Sequence, residues 1–185
     1  PQDIVLLTYE ILGSGGAPIP TRSFTKHEEG IWIGYRFFDT FHRQVAYPFG
    51  YGLSYTTFEY HGMTVKRNGN KLVVSVNVKN TGSVAGKEVA QVYVAAPKGK
   101  LEKPTKELKA FGKTRVLKPG ESQTLQMVLE VRDLASYDET NNQWLADAGT
   151  YTFFVGGNIE DIKGKSTINL PQYTEKTSAA LAMKK

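Results

Sequence analysis

The chain has 185 residues, no cysteine, and a net charge of +5 from 23 basic and 18 acidic side chains. The length fits one ordinary domain with a substantial extension, and the lack of cysteine excludes disulfides and thiolate metal sites. The lysines are dispersed apart from a modest cluster at Lys98–Lys109 and the final Lys184-Lys185; no nucleic-acid partner is expected, because polyanion binders gather charge on one face, and no membrane, because no apolar run approaches the ~18 residues that cross a bilayer.

Ile4–Leu7 (IVLL) is a continuous apolar run, as in a strand buried on both faces. Gly13–Pro20 is a loop by composition. Gly30–Phe38 (GIWIGYRFF) is apolar almost throughout and predicts a second strand. Neither run has partner strands in this half. Buried strand edges need hydrogen-bond partners, so both are read as parts of a larger domain. Arg36, set in the second run, requires a carboxylate or several carbonyls, and an ion pair is favoured over a substrate contact.

Pro48-Phe49-Gly50-Tyr51-Gly52-Leu53-Ser54-Tyr55 follows. Pro48 stiffens the approach, while Gly50 and Gly52 bracket Tyr51 and let the backbone bend or come close to another surface. Phe49, Tyr51, Leu53 and Tyr55 place apolar bulk along this turning segment. It reads either as a sugar-contacting aromatic ledge or as an interdomain clamp. The clamp is favoured, because buried aromatics dominate interface energetics.

Beyond residue 55 the pattern becomes regular. A strand at Phe58–Lys66 leads through Asn68-Gly69-Asn70 to Leu72, Val74, Val76 and Val78, which alternate with Val73, Ser75 and Asn77. That period of two is a half-buried strand. Glu88–Ala95 and Leu108–Val116 are the next strands, the second closed by Lys118-Pro119-Gly120-Glu121. Leu125, Met127 and Leu129 alternate in another, and Asp133–Asp138 is a short piece. Gln143–Leu145, Thr150–Val155 and Ser166–Leu170 complete about seven short strands, the pattern of an immunoglobulin-like sandwich. Trp144 is assigned to the core, and Tyr151 to the corner where such folds bond a tyrosine hydroxyl back to the chain. From Gln172 the alternation is lost, and Thr177–Lys185 reads as frayed or helical.

Pro48-Phe49-Gly50-Tyr51-Gly52-Leu53-Ser54-Tyr55-Thr56-Thr57-Phe58, with Gly30-Ile31-Trp32-Ile33-Gly34-Tyr35-Arg36 before it, closely resembles the segment of family 3 glycoside hydrolases that ends the second, α/β sandwich domain and leads into a fibronectin type III-like domain. Val78-Lys79-Asn80-Thr81-Gly82, Lys106-Glu107-Leu108, Pro119-Gly120-Glu121 and Gly149-Thr150-Tyr151 agree with it, so the resemblance covers roughly residues 28–170. It implies a mainly β chain in three parts. Residues 1–54 are the end of the α/β sandwich domain and the junction, 55–171 the fibronectin type III-like domain of about seven strands, and 172–185 a tail. Tyr35, Arg36, Pro48, Phe49, Gly50, Gly52 and Tyr55 are then junction residues; on the competing reading, a module that binds polysaccharide through exposed aromatics, Trp32, Tyr47, Tyr51 and Tyr93 are the candidates, with Trp32 and Tyr51 taken as the binding residues.

The resemblance also implies a retaining β-glycosidase as the complete protein, periplasmic or secreted, acting on β-linked glucosides or xylosides without a cofactor. Its partners here would be the upstream catalytic domains and, in the complete enzyme, a β-linked oligosaccharide. Retaining hydrolysis needs two carboxyl groups about 5–5.5 Å apart. In the family the nucleophile is an Asp on an amino-terminal barrel domain and the acid/base lies upstream of this segment. Glu28-Glu29 is read as a polar strand start and Asp138-Glu139 as a surface turn, so no catalytic residue is assigned. His27, His42 and His61 have no partner at i+3 or i+4, and no metal site is expected. The alternative is a carbohydrate- or protein-binding β-sandwich module.

Overall fold

The computed structural model describes residues 29–177, so the apolar run at Ile4–Leu7, the loop at Gly13–Pro20 and Glu28 lie outside the described residues. The alternating segments become strands in the expected order: β1 (Phe58–Asn68), β2 (Lys71–Asn80), β3 (Val89–Ala95), β4 (Glu107–Lys113), β5 (Ser122–Glu130), β6 (Ser136–Asp138), β7 (Gln143–Ala146), β8 (Gly149–Gly156), β9 (Ile162–Leu170) and β10 (Tyr173–Lys176). They form a three-stranded sheet in the order β1-β2-β5 and a four-stranded sheet in the order β4-β3-β8-β9, with neighbours antiparallel throughout.

The core is where the alternations of the two sheets meet. In the β2–β5 register Leu72 faces Leu129, Val74 faces Met127 and Val76 faces Leu125. The inward residues of both strands therefore fall opposite one another and make apolar cross-strand pairs. Ala90, Val92 and Val94 of β3 and Tyr151, Phe153 and Val155 of β8 complete the same buried cluster from the other sheet. The Tyr151 hydroxyl donates to the Asp147 carbonyl at 2.8 Å, closing the expected corner. Burial pushes its pKa up to about 12, so the phenol remains a donor at neutral pH.

Several expectations are corrected. The run Gly30–Phe38 is not a strand: Gly34 sits at φ 57 and a short helix, α1 (Tyr35–Thr40), follows it. A continuous apolar run has no period to separate helix from strand, and the helix brings Phe37 and Phe41 together with ring centroids 5.0 Å apart. The two large sheets together hold the seven strands expected of the sandwich, and among the described residues β6, β7 and β10 add a further small sheet in the order β10-β7-β6. Tyr173–Lys176 belongs to that sheet despite its lost alternation, paired with Gln143–Ala146; Thr177 follows it, and the rest of the tail lies outside the described residues. The piece at Asp133–Asp138 splits into a 3-10 turn at Val131–Leu134 and β6. The strand predicted to Val116 ends at Lys113, where Thr114 turns inward and its hydroxyl accepts the Glu88 N–H. Trp144 packs only partly buried against the core, its ring beneath the Arg132 guanidinium at 5.0 Å.

Candidate interdomain docking site

An ordinary sandwich strand buries one face. β3 is buried on both: Ala90, Val92 and Val94 face the core, while Gln91 and Tyr93 on its other side are 8% and 0% exposed. What covers them is the junction segment. Gln91 Nε2 donates to the Gly50 carbonyl at 3.0 Å and to the Gly157 carbonyl at 2.5 Å, and its Oε1 accepts the Tyr93 hydroxyl at 2.7 Å. The Phe49 carbonyl accepts the Ile159 N–H at 3.0 Å. Every polar atom of the Gln91 amide oxygen and nitrogen thus has a partner, as a buried amide requires.

Gly50 makes this approach possible. Its φ is +83, and a Cβ there would lie 2.0 Å from Gln91 Oε1. Gly52 differs from the expectation: a Cβ there meets nothing within 4 Å and its φ is not in the left-handed region, so the bend does not depend on it.

A second set of contacts fastens α1. Tyr35 stacks on Phe49 with centroids 4.1 Å apart, and its hydroxyl accepts the Leu108 N–H at 3.0 Å. Arg36 Nε lies 2.9 Å from Glu107 Oε1, on a helix and not in a strand. Lys106 Nζ lies 2.7 Å from Asp39 Oδ1, with both side chains mostly buried. Thr40 Oγ1 accepts the Thr105 N–H at 3.0 Å. Farther along, Thr56 donates to Oδ1 of the fully buried Asn80, whose Nδ2 donates to the carbonyls of Val84 and Leu117. Residues 35–56 are therefore tied to the sandwich at α1, at Gly50 and at Thr56.

The opposite side of the segment is open. Tyr55 is 98% exposed and Leu53 88%, and Ile33, Phe38, Phe41, Tyr47, Phe49 and Tyr51 are exposed with them. Contiguous exposed apolar side chains are the kind of surface that interaction sites use. Pro48 lies half-buried at its centre, where its carbonyl accepts the Tyr51 N–H. Trp32 is half-buried with its ring edge-on to Phe41. Tyr47 and Tyr51 are neighbours at 5.1 Å, tilted by 35°. Tyr93 is removed from the aromatic candidates, because it lies wholly inside beneath Phe49 and Gly50. Asp138, expected at the surface, is buried and accepts from Asn141 and Gln143; these bonds, the Asn141 side chain first, hold its carboxyl below the usual range. It is an anchor for a turn.

Gln91 and Asp39 escaped the reading of the sequence, and Asn80, Lys106 and Glu107 entered it only as parts of the family resemblance, with no contact assigned to them. Gln91 carried a signal: it is the one amide inside the apolar run Glu88–Ala95, on the face away from the core.

Residues 88–159 match the family model described as a fibronectin type III-like domain. The chain is 44% identical over 164 residues to a β-glucosidase of Ruminococcus albus, a match covering 84% of this chain and 17% of that protein. The structure of β-glucosidase 3B from Thermotoga neapolitana, solved with α-D-glucose, superposes with a TM-score of 0.78 at 50% identity, over 81% of this chain and 21% of that one. In sequence and fold the chain matches part of the family 3 glycoside hydrolases. A family 3 β-glucosidase structure from Bifidobacterium adolescentis agrees, with a TM-score of 0.74 at 41% identity over 78% of this chain and 21% of that one. The chain corresponds to the C-terminal part of such enzymes, fibronectin type III-like domain included, and spans about a fifth of their length.

Proposed function

We propose that this chain is the non-catalytic C-terminal portion of a retaining β-glycosidase and that residues 31–55 dock it against the upstream catalytic domains, stabilising the complete enzyme. The observation that carries the reading is the two-sided build of the junction. Its inner side is fixed to β3 and β4 by hydrogen bonds and ion pairs, and its outer side presents aromatic and aliphatic side chains to solvent. The substrate class, β-linked glucosides or xylosides, and a periplasmic or secreted location belong to the same proposal. Trp32 and Tyr51 remain candidate sugar contacts at the rim of that interface.

The test is complementation. The purified chain is expected to leave aryl β-glycosides intact, and to restore hydrolysis when combined with the upstream domains. Turnover by the chain alone would sink the non-catalytic assignment. Upstream domains that gain nothing from the chain would sink the docking role.

A further inference from the structure

One guanidinium on the open side of the junction stands without a partner. Among the described residues, Arg36, Arg115 and Arg132 pair with carboxylates at 2.8–2.9 Å, and Arg67 donates to the Gly69 carbonyl. The Arg43 side chain is exposed and makes no hydrogen bond, ion pair or ring contact. It shares the wall of a surface cavity with Phe38, Tyr47 and Phe49, which are each 40% or more exposed. The two carboxylates of the same wall do not serve it. Asp39 is held by Lys106 at 2.7 Å, and Glu160 stands beyond ion-pair distance. The backbone under Arg43 is fixed all the same. His42 takes the left-handed conformation, φ 50, in the place after a helix where glycine is usual, and the Arg43 N–H donates to the Phe38 carbonyl at 2.9 Å. The side chain leaves from a set point, and only its own rotamers remain to be ordered on binding.

We infer that Arg43 pairs with a carboxylate of the upstream domains; this rests on the docking reading above and names the charge that the covering face carries. The match takes up 17% of the Ruminococcus albus protein and 21% of the Thermotoga neapolitana chain, so on that reading the rest of the enzyme supplies the covering face. Covering Phe38, Tyr47 and Phe49 takes water from Arg43 as well, because they line one wall. A guanidinium does not give up its proton, and a desolvated charge without a partner is costly. Carbonyls on the covering face would bond it and leave its charge unmatched. A carboxylate answers both needs, with two parallel hydrogen bonds.

The test is the complementation assay, with the unaltered chain, Arg43→Ala, Arg43→Lys and Arg43→Glu each titrated for the concentration that restores half-maximal hydrolysis. Arg43→Ala is expected to need about tenfold more chain, Arg43→Lys about threefold more and Arg43→Glu about a hundredfold more. Lys66→Glu makes the same change in net charge on the exposed side of β1 and is expected to match the unaltered chain. Unchanged β2 and β8 NMR signals report that each variant keeps the fold. Arg43→Ala as effective as the unaltered chain overturns the contact and leaves docking standing. Arg43→Glu no weaker than Arg43→Ala overturns the carboxylate, since no anion then repels the reversed charge. A loss in Lys66→Glu equal to that in Arg43→Glu overturns it as well, because net charge and not this position would set the effect. Failure of the unaltered chain overturns docking, and the Arg43 contact falls with it.

Discussion

The sandwich and the junction use the same aromatic and aliphatic residue types and treat them in opposite ways. In the sandwich, Val74, Val92, Phe153 and Val155 are each wholly buried by strands of the same chain. In the junction, Phe38, Phe49 and Tyr51 keep 40–45% of their surface in water, although the backbone beneath them is fixed by Gln91, Glu107 and Lys106. The sandwich closes on itself. On the proposed docking role, the junction is half of an interface held in shape before its other half arrives, which lowers the ordering cost of docking.

The largest effect separates the two regions directly. Phe153→Ala empties the centre of the core and is expected to cost about 3–5 kcal/mol of unfolding free energy, measured by urea denaturation of the chain. Phe49→Ala is expected to cost less than about 2 kcal/mol in the same assay, because the ring already keeps 40% of its surface in water. It is expected instead to weaken complementation of the upstream domains. Equal losses of stability would mean that the junction belongs to the core and is no interface.

A smaller effect tests the clamp itself. Gly50→Ala forces a side chain into a left-handed backbone conformation and against Gln91, at an expected cost of about 1–3 kcal/mol. Gly52→Ala, with open space and no positive φ, is expected to stay within about 0.5 kcal/mol. Matching midpoints for the two variants would remove Gly50 from the account of how the segment reaches β3.

The same contrast explains what could be read from the sequence. Strands β2 and β5 were legible because one face meets the core and the other meets water, which writes a period of two into the residues. The corner tyrosine was legible because Gly149-Thr150-Tyr151 stands at a turn of fixed geometry. Residues 30–38 were not legible, since apolar side chains stand on the open face of the segment as well as on the held one and leave no period to read, and only Gly34 in mid-run marked the break. β10 was missed for the converse reason: its Tyr173–Lys176 pairs with an edge of a small sheet and needs no apolar alternation. The ion pairs of α1 lie nearly seventy positions apart in the chain, as with Asp39 and Lys106, and no local pattern announces them.

The smallest expected effect lies at the seam between the sheets, where a carboxylate is treated differently from those of the junction. Asp39 and Glu107 face cations, whereas Glu88 has the Tyr60 hydroxyl as a hydrogen-bond partner and lies within the field of Asp161, and Lys163 is taken by Asp161 at 2.6 Å. Burial, aided by Asp161, raises the Glu88 carboxyl above its ordinary 4.5. Its protonated form is therefore the one the fold prefers. That contribution is present below the ordinary value and is lost as the pH rises through the folded one. Glu88→Gln keeps an acceptor for the Val89 N–H and carries no charge. The variant is expected to be the more stable at pH 7 by about 0.5 kcal/mol or less, since the site is only partly buried and solvent screens it. The gain should shrink toward zero as the pH falls to 4, read from denaturation midpoints across that range. A variant that loses stability at pH 7 would show that the Glu88 charge serves the seam, and the sandwich would then share the junction's way of holding its carboxylates.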